Sequence, residues 1–331
     1  MRKNYDVIII GAGIVGSMVA RFLSKYQLEI LLIEKEVDIG MGASSANSAI
    51  LHAGYDALPG SNKAITNVMA VEMWPELSEE LGIDYSRCGD YVVAVDEADV
   101  LVLEELLERG RQNGVPGIEI ISGEEMRQRE PLIRPDAVAA LWAPTGAISD
   151  PFAATVAAAE NAVMNGVHLM RNTAFEDFII EGNRILGVRT NQGDFLCRWA
   201  VNAAGLHADE VMHKAGVRPE FVIRPRRGKY VILDKADFQL TRATVLFPTP
   251  TEKGKGILVA GTLHGNIIVG PNANFVDSKE NKDITREGIQ EIWEGGNKLV
   301  PAIQRKHIIA EFAVLRATGN APSPQSKSGF W

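Results

Sequence analysis

The sequence predicts an α/β protein: a Rossmann-like unit carries an inserted β-meander and joins a second α+β unit with a large, mainly antiparallel sheet. Three observations predict it. An apolar run feeds a glycine-rich turn and a helix at the start of the chain. The middle breaks into short alternating strands, and the last third alternates apolar strands with Pro- and Gly-rich turns.

Val7 to Ile10 is an unbroken apolar run of the kind that sits in a parallel sheet covered on both faces. Gly11, Gly13 and Gly16 follow it. Gly11 permits a sharp turn, Gly13 lacks the Cβ that would hold a pyrophosphate away, and Gly16 lets the next helix pack closely on the strand. Ile14, Val15, Met18, Val19, Phe22 and Leu23 give that helix an apolar face. Its first turn, opened by Ile14 and Val15, offers free N–H groups and the positive end of a dipole to an anion. Leu28 to Ile33 reads as the second parallel strand. Glu34 lies 34 − 11 = 23 positions after the first glycine, close to the roughly 20 expected of the acid that binds a ribose 2′-hydroxyl. A carboxylate there repels a 2′-phosphate, which disfavours NADP. Strand, turn, helix and acid in this order specify a Rossmann-like adenine-dinucleotide site and leave NAD against FAD open.

A long loop of small residues follows, Gly40 to Ser48, continuing as Ala49-Ile50-Leu51-His52-Ala53-Gly54. So few bulky side chains suit a backbone pressed against something flat, or an ordinary surface loop. Residues 62–82 read as a helix, Tyr91 to Val95 as a strand, and Asp99 to Gln112 as an amphipathic helix ended near Gly114. Gly123 opens a short helix that stops before Pro131, and Asp150-Pro151 starts an alanine-rich one capped by Gly166. Segments 167–170, 175–180, 185–190 and 195–199 form the β-meander, ahead of a strand running into the small-residue turn Ala203-Ala204-Gly205 and another helix. Beyond Phe221, strands at 230–233, 257–259 and 267–269 and a helix at 285–299 build the second sheet.

Composition narrows the function classes. The chain has 331 residues, 46% hydrophobic and 23% charged, enough for two globular domains. Its net charge is −8 and it has no dense basic run, so a nucleic-acid partner is not expected. The short cluster Arg224-Pro225-Arg226-Arg227 reads as a turn or a substrate-anion site. Cys88 and Cys197 provide neither a disulfide scaffold nor metal-ligand spacing, so no metal is expected. With no apolar run near the roughly 20 residues of a membrane span and no cleavable leader, the expected location is the cytoplasm, including the inner face of a membrane.

The motifs taken together resemble the D-amino-acid-oxidase-like FAD oxidoreductases, on the branch of FAD-dependent glycerol-3-phosphate dehydrogenases and L-2-hydroxyglutarate dehydrogenases. The resemblance rests on Gly11-Ala12-Gly13-Ile14-Val15-Gly16, Asn47 to Gly54, Pro59-Gly60-Ser61-Asn62-Lys63-Ala64 and Val201-Asn202-Ala203-Ala204-Gly205. It continues through Pro225 to Tyr230, Phe247-Pro248-Thr249-Pro250, His264-Gly265-Asn266, Gly270-Pro271 and Phe312 to Arg316. It implies FAD rather than NAD, with Glu34 and Lys35 at the ribose. It also implies that Ala43, Ser44, Ser45, Asn47, Ser48, Ala49 and Leu51 run along the flavin and ribityl chain. The backbone near Ala174 is implied at the adenine, and Ala203, Ala204, Gly205 and Leu206 at a second dinucleotide contact. Members of the family continue into a glycine-rich segment that closes over the flavin; this sequence ends at Ser328-Gly329-Phe330-Trp331, so that segment is expected to be missing. The expected domains are 1–90, 150–220 and 306–331 for FAD, and 91–149 and 221–305 for substrate.

Oxidation of an anionic secondary alcohol needs a hydride acceptor, a base and a cation. The acceptor is flavin N5. His52, closing the small-residue loop, and His264, in a later turn, are candidate bases because histidine as a type titrates near neutrality. Arg316, late in an apolar strand, is the candidate grip on a carboxylate or phosphate, with Lys63 second. The expected function is an FAD-dependent dehydrogenase for glycerol 3-phosphate or a 2-hydroxy acid, passing electrons to a quinone or an electron-transfer partner. An amino-acid or amine oxidase of the same fold and a non-catalytic flavin-binding subunit are the alternatives.

Overall fold

The computed structural model describes residues 3–236, 240–241, 244–250 and 256–319. In chain order, β1 (Lys3–Ile10), α1 (Ile14–Leu23) and β2 (Ile30–Ile33) form the opening βαβ unit, followed by β3 (Ile50–Leu51) and α2 (Asn62–Leu81). Next come β4 (Tyr85–Ser86), β5 (Asp90–Ala94), α3 (Glu97–Gln112), β6 (Glu119–Ser122), α4 (Gly123–Arg129), β7 (Ala139–Ala143) and β8 (Ala147–Ser149). The middle of the chain forms α5 (Pro151–Met164), β9 (His168–Met170), β10 (Phe175–Glu181), β11 (Arg184–Thr190), β12 (Gly193–Asn202) and α6 (Ala208–Lys214). The last third supplies β13 (Ile223–Leu233), β14 (Val245–Pro248), β15 (Leu258–Gly261), β16 (Ile267–Gly270), β17 (Asn274–Phe275), α7 (Arg286–Leu299) and β18 (Ile308–Gly319).

A six-stranded sheet in the order β10-β11-β12-β1-β2-β9 carries the βαβ unit. Ile8, Ile9, Leu31 and Leu32 are fully buried in it, each contributing about 2 kcal/mol of burial. Helices α1 and α5 cover one face, where Ala154, Ala158, Ala159 and Ala162 are buried and their small side chains allow close packing. The expected first meander strand, β9, instead pairs in parallel with β2 at the opposite edge of the sheet, and the last meander strand and the strand expected after it are one element, β12. Ten-residue β12 is antiparallel to β11 at its start and parallel to β1 along its length.

The nine-stranded sheet runs β17-β13-β16-β15-β14-β5-β7-β6, with β18 also paired to β13; its one parallel pair is β14 with β5. Here Arg224 to Arg227 are strand residues, not a turn: β13 starts at Ile223 and pairs with β18 from Ile223↔Gly319 to Leu233↔Ile308. Residues 308–319 therefore extend this sheet rather than the six-stranded one. One face packs on α4 and α7 through Ile292, Leu299 and Met126. The other carries Tyr230, Phe247, Leu258 and Val314 and packs on the segment holding Ala46, Ile50, Ala53 and Tyr55. The small-residue loop thus lies between the two large sheets. A small third sheet, β3-β8-β4, pins the loop's end.

Candidate functional site

Parallel pairing of Ile10 with Asn202 sets the glycine turn beside the end of β12. Gly11 has φ +102°, and a Cβ on it would lie 2.6 Å from the carbonyl oxygen of Ala203. A Cβ on Gly16 would overlap the carbonyl oxygen of Gly11. Both positions therefore exclude side chains for packing reasons. Gly13 faces the loop instead, where its Cβ would meet only Ser44 Oγ, at 3.1 Å.

The loop is tied to the helix start: Ile14 N–H donates to Ser44 Oγ at 2.9 Å, while Val15 beside it is exposed. Ser45 Oγ donates to the Gly42 carbonyl. Asn47 Nδ2 donates to the carbonyls of Ala43 and Ser44, and its Oδ1 accepts Ala49 N–H at 2.8 Å. That bond supports Ala49 in a left-handed conformation, φ 58°, costly for any side-chain-bearing residue. Ser149 N–H donates to the Ala49 carbonyl, and Leu51 then enters β3.

At the end of β2, Glu34 Oε2 accepts Ala12 N–H at 2.8 Å and Oε1 accepts Glu36 N–H at 3.0 Å. The acid is oriented by the turn it serves, which its spacing alone did not indicate. Thr173 N–H donates to the Glu34 carbonyl at 2.7 Å, so Ala174 comes next to this corner; its own N–H is held by Asn191 Oδ1. Lys35 is exposed and pairs with Glu36 at 3.4 Å. Ala203 N–H donates to the Ile10 carbonyl, Ala204 N–H to Asn202 Oδ1, and Gly205 turns with φ +55°, its Cβ position open within 4 Å. Leu206 is half-buried behind it. The turn 11–16, the loop 42–49, the Glu34 corner with Ala174 and the turn 203–206 thus share one rim.

The far end of the loop crosses the nine-stranded sheet. Ala46 and Ile50 of the loop pack on the cluster that holds Tyr230, and the His52 ring lies 5.8 Å from the Phe247 ring at 33°. Registers place Tyr230, Leu258 and Phe247 on one row across the sheet, because Val231 pairs with Val269, Leu258 with Gly270, and Leu246 with Val259. Arg316 lies across from Arg226 on β18. Its guanidinium reaches back over Gly228, where a Cβ would come 3.5 Å from it, and donates to the Asn272 carbonyl at 3.2 Å. Its Nε is buried without a hydrogen-bond partner. Burial, together with the charge of Arg226 and against the pull of Tyr230, holds the Arg316 guanidinium below its ordinary pKa. A cation costly to desolvate, with a donor left unused, suits an anionic ligand.

His264 lies elsewhere. It is exposed in the β15–β16 hairpin, and its carbonyl accepts Lys235 Nζ at 3.1 Å. From Arg226, level with Arg316, to Leu233, where that hairpin begins against β13, is seven positions, about 23 Å of strand. His52 and Arg316 reach the Tyr230 row from its two ends; His264 lies off the row, in the hairpin beyond Gly261 and Ile267. Lys63 pairs with Asp56 at 3.6 Å. Tyr230 and Phe247, which receive the loop, were not picked out in the sequence as site residues. The period-two alternation that puts Tyr230 on the face of Arg226 was the available signal.

The profile of the family described as FAD dependent oxidoreductase matches residues 6–328. A glycerol 3-phosphate dehydrogenase of Caloramator mitchellensis is 41% identical over 315 residues, covering 95% of this chain and 65% of the relative. The human mitochondrial L-2-hydroxyglutarate dehydrogenase is 29% identical over 295 residues, covering 84% of this chain and 63% of its own length. The chain thus spans just under two thirds of each. The dithionite-reduced L-α-glycerophosphate oxidase of Mycoplasma pneumoniae, solved with FAD bound, superposes with a TM-score of 0.90 at 30% identity, covering 97% of this chain and 85% of that one.

FAD fits the residues present. The Gly11 and Gly16 positions admit no Cβ, Gly13 and Gly205 leave the rim open to a close-lying ligand, and α1 starts at this turn, with its Ile14 N–H held by Ser44 Oγ. Among the described residues no helix is long and apolar enough to cross a membrane.

Proposed function

The chain belongs to the FAD-dependent oxidoreductase family, and on that premise we propose a dehydrogenase that oxidises a small anionic secondary alcohol, glycerol 3-phosphate or a 2-hydroxy acid such as L-2-hydroxyglutarate. The observation that supports the reading is that His52, against Phe247, and Arg316, over Gly228, stand at the two ends of one row on the same sheet face, across which the small-residue loop is laid. The names of the Caloramator and human relatives support the substrate class.

When bound, FAD supplies a hydride acceptor at flavin N5. In this reading, the backbone of Gly11 to Gly16 and of Ala203 to Leu206 holds the pyrophosphate, Glu34 and Lys35 the ribose, Ala174 the adenine, and residues 43–51 the ribityl chain and ring. Arg316 grips the substrate anion with two parallel N–H donors, fixing which end of the alcohol points at His52. His52 accepts the hydroxyl proton at an imidazole nitrogen, with Phe247 setting its ring plane. His264 is the second candidate base. We assign the cofactor unit to 1–90 and 150–220 and the substrate unit to 91–149 and 221–305. Residues 306–319 join the substrate sheet while carrying Arg316. A cytoplasmic enzyme delivering electrons to a quinone or protein carrier, peripherally at the inner membrane face, completes the proposal.

The test is anaerobic reduction of the FAD-loaded protein with glycerol 3-phosphate, a panel of 2-hydroxy acids and a panel of amino acids. Bleaching of the flavin absorbance by a hydroxy substrate and not by amino acids is expected. Bleaching by amino acids alone would move the assignment to amine oxidation, and none with any compound to a flavin-binding subunit.

A further inference from the structure

The sheet face that holds Arg316 carries further positive charge toward solvent. Alternate residues of a strand share a face, so Arg224, Arg226 and Gly228 stand in line along β13 at steps of about 7 Å. Arg227, between them, turns to the opposite face, where it donates to Asn281 Oδ1. Phe275 on β17 pairs with Arg226 from one side, and Arg316 on β18 pairs with it from the other. The Phe275 ring is 51% exposed, and two guanidinium groups lie over it, that of Arg224 at 4.8 Å from the ring centroid and that of Arg226 at 5.6 Å. The ring therefore fixes where two long, flexible cations stand. Their surroundings change step by step: Arg224 is exposed, Arg226 is half-buried, and Arg316 has its Nε buried and its guanidinium over Gly228. Burial holds the Arg226 guanidinium below its ordinary pKa, so each step inward leaves water behind. Arg224 and Arg316 belong to no ion pair among the described residues. Like charges set side by side on a sheet repel, and an anion passing along the line relieves that repulsion.

We propose that Arg224 and Arg226, held on Phe275, form an entry path that draws the anionic substrate in from solvent and hands it to Arg316. The proposal rests on the assignment of Arg316 to the substrate anion made above. The physical cause is the sign of the molecule as a whole. With a formal net charge of −8 the protein repels an anion at long range, so a local run of cations is what raises the anion's concentration at the site. Arg226 and Arg224 supply that run on the solvent side of Arg316. Arg224, four positions before Gly228 or about 14 Å of strand, is tied to Phe275 and stands outside a small substrate gripped by Arg316. Its effect falls on arrival and not on the chemical step.

The experiment uses the full, FAD-loaded chain and follows anaerobic flavin bleaching in stopped flow by whichever of glycerol 3-phosphate and L-2-hydroxyglutarate reduces it, with no electron acceptor present. The slope of rate against substrate at low concentration reads capture, and the plateau reads the chemical step. In the parent the slope falls about ten-fold between roughly 10 mM and 1 M sodium chloride, over which the screening length shrinks from about 30 to about 3 Å. Arg224→Gln lowers the low-salt slope about five-fold, flattens its salt dependence, and leaves the plateau and the melting temperature unchanged. Arg224→Lys restores the slope, because the path needs a charge and not a guanidinium fork. Phe275→Leu keeps both charges, removes the ring under them and lowers the slope about two-fold. A slope unchanged in Arg224→Gln while Arg316→Lys lowers it, or a loss in Arg224→Gln that is equal at both salt concentrations, would overturn the path and leave Arg316 in place. A slope unchanged in Arg316→Lys, or a parent that neither compound bleaches, would instead overturn the assignment of Arg316, and the path with it.

Discussion

Ser44 Oγ accepts the N–H of Ile14 at 2.9 Å, so a residue thirty positions along the chain caps the first helix. Its own N-cap residue, Gly13, has no side chain to do this. The loop and the helix start are therefore one unit before any ligand binds.

Ser44→Ala removes that cap. The FAD-free protein should lose about 1 kcal/mol of unfolding free energy, visible as a lower urea midpoint with an unchanged slope. No change in midpoint would show that the helix start is capped without Ser44.

Gly11→Ala forces a Cβ toward the Ala203 carbonyl at a backbone angle that L-residues avoid. The expected outcome is a loss of about 2 kcal/mol or more together with loss of FAD on gel filtration. Gly42→Ala, which has nothing within 4 Å of its Cβ, is the control for stability and should unfold at the parent's urea midpoint.

Arg316→Lys keeps a positive charge and loses the two-pronged donor. Steady-state kinetics with glycerol 3-phosphate should show KM raised about 10- to 100-fold, the range for a charged hydrogen bond, with kcat changed much less. A fall in kcat at constant KM would place Arg316 on the reacting centre instead of on the anion.

Lys279 Nζ bonds Asp209 Oδ1 at 2.9 Å and Glu210 Oε1 at 2.6 Å, joining the segment after β17 to α6, just behind the turn at Gly205. Burial disfavours the charged Asp209 carboxyl, but the Lys279 bond and the Ile223 N–H outweigh it and leave the carboxyl below its ordinary pKa. A carboxyl depressed in the folded state stabilises above its unfolded value, about 3.9 for Asp. That stability is lost as pH falls through the folded value. Lys279→Met should therefore destabilise at pH 6 and much less at pH 3, measured by urea unfolding at both. Equal losses at the two values would exclude the ion pair as the cause.

Much of the cofactor half could be read from residue order. The glycine spacing, the apolar faces of β1 and α1, and the acid at Glu34 each act within a few residues, where backbone sterics and periodicity operate directly. The meander was also legible from its turns, although not that β12 would serve as both its third strand and the neighbour of β1; pairing partners are not encoded by local alternation. Arg224 to Arg227 looked like a turn because Pro225 and three charges are rare inside a sheet. The long pairing with β18 overrides that preference.

The sequence by itself determined that a dinucleotide would be held on a glycine-lined turn, because that demand is met by backbone freedom at single positions. Only the tertiary structure decided which distant side chains meet there. It brought Ala46 and Ile50 against the cluster around Tyr230 and His52 to Phe247, turned Arg316 back over Gly228, and left His264 in a hairpin off the row. Those meetings depend on strand order and register between segments far apart in sequence, 88 residues from Gly228 to Arg316 and 195 from His52 to Phe247, which follow from packing of the whole sheet and not from any local pattern.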